Sequence, residues 1–290
     1  MIYYLQDSHL NEASAVLRVR GPDANSYLQG QFTQDLRLKI GESAYGLWLD
    51  LKGKVFADSQ VLKQGDNDYL VVSFSCKAAD LRARLESYLI ADEVELEDLT
   101  ESWTSVLLWG EGAASLMPPA GGLALPSRRA GPGSCQWLVP AGTTDGALAA
   151  LKDRAKAADR AAAERARLLA AIPAVPVDIG PRDLPNEGGL DDVAISYTKG
   201  CYLGQEVMAR LKNLGQVRRR LHLVRGSGPV PAVGTALYQG ERKAGETRSA
   251  VADGDGFLAM AMLSLVNLDP AAGLTVAPGG GNSLQILQRV

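Results

Sequence analysis

From Tyr197 to Arg220 the chain reads YTKGCYLGQEVMARLKNLGQVRRR. No other stretch restricts the fold as much. Lys199, Gly200, Cys201, Tyr202, Gly204, Gln205 and Glu206 fall within eight positions, with the two glycines bracketing the cysteine. Glycine reaches backbone angles that other residues avoid, and it lets a second segment approach closely. From Gln205 the pattern changes. Val207, Met208 and Leu211 recur at helical intervals, Glu206 falls in the first turn, and Arg210 and Lys212 come later, an order that suits a helix dipole. The spacing predicts a glycine-rich loop carrying Cys201, followed by a short helix. By residue type alone, a free cysteine is most often a small buried hydrophobe. A cysteine just ahead of a helix N-terminus, with a lysine nearby, is instead placed for thiolate chemistry.

A length of 290 residues is long for a single core and predicts two or three domains. A formal charge of −3 gives no bulk attraction to nucleic acid or to an anionic membrane. No apolar run reaches transmembrane length, and MIYYLQDSHLNE at the start lacks the basic and apolar regions of a signal peptide. Cys76, Cys135 and Cys201 are odd in number and far apart, which predicts a reducing, cytoplasmic setting and no disulfide framework. With no C-x-x-C pair, and with His9 and His222 as the only histidines, a self-sufficient zinc or four-cysteine cluster site is not expected and no metal ligand is assigned.

Taken in order, Ala15 to Val19 reads as a strand, and Gly21-Pro22-Asp23 as a turn with Asp23 capping a helix that ends near Gly30. Residues 46–49 and 55–62 form a predicted hairpin about the turn at 50–54. A strand follows at 69–74, a helix near 81–89, and strands at 94–97 and 105–109. The proline- and glycine-rich region 118–133 reads as loop, 135–139 as a strand, and Thr144 as the cap of a helix. The alanine-rich stretch 147–170 has high helix propensity, with a break where one domain returns to the next. Beyond Arg220, short strands at 221–224, 244–250, 257–265 and 284–290 predict an all-β module. Strands interleaved with helices predict an α+β architecture of ferredoxin-like type. No P-loop or dinucleotide fingerprint is present.

Residues 199–206 resemble the K-G-C-[FY]-x-G-Q-E signature of the YgfZ family. These are folate-binding proteins of iron–sulfur protein maintenance, related to the glycine-cleavage T-protein and to mitochondrial iron–sulfur assembly factors. Three further segments carry the resemblance. Tyr27 to Leu36 matches F-L-Q-G-Q-x-T-x-D-[VL], Asp50 to Lys54 matches the turn D-x-x-G-[KR], and Leu184 to Glu187 matches L-P-x-E.

The resemblance implies a three-domain glycine-cleavage T-protein-like fold, with ferredoxin-like α/β domains and a C-terminal β-barrel around a central cavity. Residues 1–45 with 160–215 would form a discontinuous folate-binding domain, 46–159 a ferredoxin-like domain, and 216–290 the barrel. It further implies that tetrahydrofolate or a derivative is the ligand, that Gln31, Thr33, Asp35, Asp58, Tyr88 and Arg167 approach the cavity, and that Cys201 acts at its rim. The expected partners are folate and iron–sulfur client or assembly proteins, including those serving tRNA-modifying enzymes. Direct nucleic-acid contact and membrane association are not expected.

The chain departs from the pattern at three places. Ala57 replaces one acid of a T-protein pair whose other member is Asp58. Ala163 stands where several relatives have a tryptophan, and Ala171 where the family has a glycine. Folate-dependent aminomethyl transfer is the alternative activity. An RNA surface on Arg218-Arg219-Arg220 and a Cys201–His222 catalytic pair are weaker readings.

Overall fold

A computed structural model describes residues 1–7, 14–281 and 284–290, apart from the side chain of Leu214; His9 lies outside the described residues. The first half contains β1 (Tyr3–Asp7), β2 (Ala15–Arg20), α1 (Ala24–Gln31), β3 (Ser43–Leu49), β4 (Val55–Gly65), β5 (Asp68–Ser73), α2 (Ala78–Glu86) and β6 (Glu95–Asp98). Next come β7 (Trp103–Trp109), β8 (Leu123–Ser127), β9 (Ser134–Pro140), α3 (Thr144–Ala149), β10 (Lys156–Ala157), α4 (Arg160–Leu169), α5 (Asp191–Ala194) and α6 (Gln205–Leu214). The last part is all β: β11 (Arg219–Ser227), β12 (Ala236–Gln239), β13 (Arg242–Asp253), β14 (Gly256–Ser264) and β15 (Gln285–Arg289).

Three five-stranded sheets organise the chain, ordered β3-β4-β5-β2-β6, β10-β1-β7-β9-β8 and β12-β13-β14-β11-β15. In the first sheet, Leu17, Val19, Val61 and Val71 face α1 and α2 and pack on Leu28, Leu81 and Leu85. Strand alternation sends Val16, Leu62, Leu70 and Val72 to the other face, where they meet Leu125 and Leu138 of the second sheet. The second sheet covers its far face with α3, through Val106, Leu108, Trp137 and Ala147. The third sheet is the barrel. Its outer residues Leu221, Leu223, Leu258 and Met260 pack against Leu47 and Leu49 of β3, Leu168 of α4 and Met208 of α6. The α+β class and the arrangement of three sheet-based units therefore follow from where each apolar face is covered.

The expected boundaries are corrected by the ladders. The division at residue 45/46 falls inside β3, which pairs with β4 from Ser43↔Leu62 to Leu49↔Val55. Residues 46–98 thus share a sheet with 15–45, while 103–140 pair with β1 near the N-terminus. The expected 46–159 module is split between two sheets, and the expected 1–45 segment contributes to both.

Local differences also have physical reasons. The 118–133 loop contains β8, an edge strand that accommodates Pro126 although proline lacks an N–H. The alanine-rich stretch breaks after Ala149 and restarts at Arg160, where the Asp159 side chain accepts a hydrogen bond from Ala162 N at 2.8 Å. Asp23 stands at the cap position of α1, but its carboxylate accepts from Glu93 N instead. Among the described residues no helix is long and apolar enough to cross a membrane.

Candidate functional site

All three sheets and α4 contribute walls to a central cavity of about 460 Å³, within the ~300–1,000 Å³ of small-molecule sites. Leu5, Val72, Phe74, Leu107, Ala163 and Pro173 form its apolar surface. The polar groups come from different directions. Asp58 projects from β4, Tyr45 from β3, Gln60 from β4, Arg128 from the segment after β8, and Arg167 with Ser249 from α4 and β13. Tyr45 OH donates to Asp58 Oδ2 at 2.9 Å, and the Arg128 guanidinium lies 5.5 Å from the Tyr45 ring centre. Two buried atoms in this lining, Gln60 Oε1 and Arg128 Nε, have no hydrogen-bond partner. Orphaned buried polar atoms carry a desolvation cost that a ligand can relieve.

Burial pushes the Asp58 carboxyl up to about 6, against the opposing effects of the Tyr45 hydroxyl, Arg129 and Arg128. A carboxyl raised in the folded state holds its proton more tightly there than in the unfolded chain. Its contribution to stability therefore falls as pH rises from the unfolded value near 4 to about 6, and is constant above. Asp58→Asn is expected to melt above wild type at pH 7.5, by on the order of 2 kcal/mol, with the gap closing as pH is lowered from 6 to 4. Thermal melts over pH 4–8 check this. A gap that does not change with pH would contradict it.

Arg167 lines the cavity, but its guanidinium is already occupied. Nε donates to Glu164 Oε2 at 2.9 Å, Nη1 to Asp178 Oδ2 at 2.8 Å, and Nη2 to Ser249 Oγ at 2.7 Å. The remaining two N–H groups meet Ile172 O and Glu164 Oε1. All five donors are used, so Arg167 ties α4 to the barrel and has none left for a ligand.

The other expected cavity contacts lie elsewhere. Gln31, Thr33, Asp35 and Tyr88 are not among the lining residues. Thr33 is fully buried; its hydroxyl donates to Ala194 O at 2.6 Å and accepts from Leu47 N at 2.8 Å. Asp35 binds Arg37 and Gln29, and the Arg37 hydrogen bonds hold its carboxyl well below the usual range. Gln31 Oε1 accepts from Arg84 Nη1 at 2.9 Å, and Tyr88 lies under the same guanidinium at 4.3 Å.

The backbone of residues 29–34 instead forms the seat of the cysteine loop. Lys199 is buried, and its Nζ donates to Gln29 O, Phe32 O and Gln34 O at 2.8, 2.7 and 2.9 Å. Leu203 N donates to Gly30 O at 3.1 Å, and Ser196 N to Thr33 O at 3.0 Å. Cys201 stands exposed between these ties. It is not among the residues that line the cavity. Burial pulls the Lys199 ammonium down to about 8, with Asp35 raising it and Arg37 lowering it. The lysine is therefore still mainly charged at neutral pH.

Gly204 is needed where it is. Its φ is +84°, and a Cβ there would come within 2.9 Å of Asp50 O in the β3–β4 turn. A Cβ on Gly200 would meet nothing within 4 Å. Tyr202 is buried with its ring 5.5 Å from Lys199 Nζ. Gln205 opens α6, and Glu206 and Arg210 are exposed along it. His222 is buried on β11, with Nδ1 3.0 Å from Arg220 O, so the described residues give Cys201 no histidine partner there. Arg219 is held by Asp183 and Glu187, and Arg220 by Val290 O, so two of the three adjacent arginines serve the fold.

Tyr45, Gln60, Phe74 and Arg128 were not singled out from sequence. Tyr45 and Gln60 sit on strands with ordinary alternation, Phe74 just past the end of β5, and Arg128 in a segment rich in proline and glycine, so no spacing marks them. Ala57 faces the core with Leu17 and Val61 while its neighbour Asp58 faces the cavity. An acid at 57 would point away from the cavity, so its absence does not discriminate between activities.

Residues 8–126 match the GCVT N-terminal domain family, and residues 218–286 match the CAF17 C-terminal beta-barrel domain. The chain is 30% identical over 277 residues to the tRNA-modifying protein YgfZ of Aliivibrio fischeri strain MJ11, covering 88% of this chain and 84% of that protein. It is 28% identical over 285 residues to the human mitochondrial iron–sulfur cluster assembly factor IBA57, covering 87% and 76%. The glycine cleavage system aminomethyltransferase T from Bartonella henselae has the same fold. Its TM-score is 0.80 at 20% identity, over 99% of this chain and 85% of that one.

Proposed function

The chain belongs to the YgfZ family, and from that premise we propose that it is a cytoplasmic tetrahydrofolate-binding accessory protein in assembly or repair of iron–sulfur proteins, acting through Cys201. The observation that carries the folate reading is the central cavity with unpartnered Gln60 Oε1 and Arg128 Nε beside the Asp58 carboxyl. A pterin presents amino and ring N–H donors along one edge. Asp58 and Gln60 Oε1 offer acceptors for them. Arg128, in the same part of the lining, offers a donor to an acceptor atom of the pterin ring. Tyr45 orients the Asp58 carboxylate, and Phe74 and Pro173 supply apolar contact where Ala163 leaves room. When bound, the folate supplies a one-carbon carrier; the residues of this chain bind and orient it and keep Asp58 ready to hold or release a proton.

Cys201 supports the second part of the reading. A thiol is a soft ligand suited to iron–sulfur chemistry, and this one is exposed, as action on a separate client requires. YgfZ and IBA57 carry names tied to tRNA modification and iron–sulfur cluster assembly. One account for both is a factor that serves iron–sulfur enzymes, some of which modify tRNA. It needs no direct RNA contact.

Aminomethyl transfer is the alternative. It is favoured by one observation, a buried cavity carboxyl raised to about 6 that accepts a hydrogen bond from Tyr45. The two readings separate in a turnover assay with tetrahydrofolate and an aminomethylated carrier protein. The accessory reading predicts binding without turnover; rates comparable to a glycine-cleavage T-protein would establish the alternative.

A further inference from the structure

We propose that Lys199 is a positioning residue for the Cys201 thiol. It acts by capping the C-terminal end of α1, not by polarising the sulfur. A helix leaves its last carbonyls without internal partners, and that end carries partial negative charge. Helix α1 has no basic residue in its last turn. The missing cation comes from far along the chain. Lys199 Nζ binds Gln29 O in the last turn, then Phe32 O and Gln34 O just beyond it. Leu203 N satisfies Gly30 O. The loop and the helix end complete each other, and Cys201 projects from a short arch fixed on one side by Lys199 and on the other by Leu203.

The donor count separates positioning from activation. An ammonium has three N–H groups, and all three are directed at carbonyl oxygens within 2.9 Å. None remains to bond a thiolate. The charged groups facing Lys199 are Asp35 and Arg37, which are bonded to each other, and the Tyr202 ring lies alongside. The geometry also distinguishes lysine from arginine, because a planar guanidinium fork cannot address three acceptors converging on one point.

This inference rests on the reading of Cys201 as the working residue, and its test has readouts independent of that reading. The full-length wild type, Lys199→Met and Lys199→Arg are compared by peptide-level hydrogen exchange and by the pH profile of Cys201 alkylation with a small maleimide. Lys199→Met is expected to reduce protection of Ser196 and Leu203 at least about tenfold, the effect of losing a charge-assisted tie, with Lys199→Arg in between. The alkylation profile should keep its position on the pH axis. Unchanged protection in both variants would overturn the clamp. A profile displaced to higher pH would show that Lys199 activates the thiol. If Lys199→Met fails to fold, Lys199→Arg alone decides by the same two readouts. Should Cys201→Ser keep full cellular function, the functional reading fails while the exchange data still judge the clamp.

Discussion

Asp178→Ala is expected to lower folding stability by about 3–5 kcal/mol, the cost of removing one partner from a buried charged network. Asp178 is fully buried, and its carboxylate accepts four hydrogen bonds. Oδ2 takes Arg167 Nη1 and Ala174 N, both at 2.8 Å. Oδ1 takes Ser249 N at 2.9 Å and Ser249 Oγ at 2.6 Å. The alanine variant leaves the Arg167 guanidinium, itself only 3% exposed, with one carboxylate where it had two. It also strands two backbone N–H groups in the interior. The expected loss is a large share of the roughly 5–15 kcal/mol that holds a typical domain. Because the network joins α4, the 172–178 segment and β13, the barrel should loosen from the rest first. Chemical denaturation of Asp178→Ala, with Asp178→Asn as the uncharged isostere, measures this. A loss below about 1 kcal/mol, the scale of an ordinary surface change, would mean that the network is solvated and not structural.

This network shows where the sequence was readable and where it was not. Arg167 could be nominated from the chain because a positioned arginine stands out in a family-like segment. Its role could not, because Glu164, Asp178 and Ser249 converge on it only after α4 meets the barrel. The same holds for Gln31, Thr33 and Asp35. Their glycine-rich, polar setting correctly marks a segment that meets another fingerprint. That meeting takes place at the Lys199 cap and not in the cavity. Helix and strand positions were legible because apolar spacing reports which face is covered. Domain limits were not, because pairing of β1 with β7 and of β3 with β4 is decided by ladders between distant segments. Asp58 was legible as a carboxylate next to a hairpin turn. The cavity partners Tyr45, Gln60 and Arg128 carry no local signal, and only tertiary packing brings them to the same space.

Cys201→Ser is expected to abolish support of iron–sulfur enzymes in cells while leaving the fold intact. The side chain is exposed and the loop is held by Ser196, Lys199 and Leu203, none of which bonds through the sulfur. Stability should change by no more than about 0.5 kcal/mol, as for surface substitutions elsewhere. Cys76 and Cys135 do not substitute for it. Both are buried, and burial pushes their thiols up to about 12 and about 11. The readout is the activity of iron–sulfur enzymes in a strain lacking the endogenous protein. Loss of several kcal/mol on melting would instead place the cysteine in a packed interior.

The proposed folate cavity and the proposed working thiol share no lining residue. Calorimetric titration with tetrahydrofolate, on wild type, Cys201→Ser and the Asp58→Ala/Gln60→Ala pair, tests that separation most directly. Wild type and Cys201→Ser should bind with the same affinity. The cavity variant should bind at least about tenfold more weakly, the loss expected when buried hydrogen bonds to a ligand go unmade. Absence of binding to wild type, or binding that depends on Cys201 and not on Asp58 and Gln60, would contradict it.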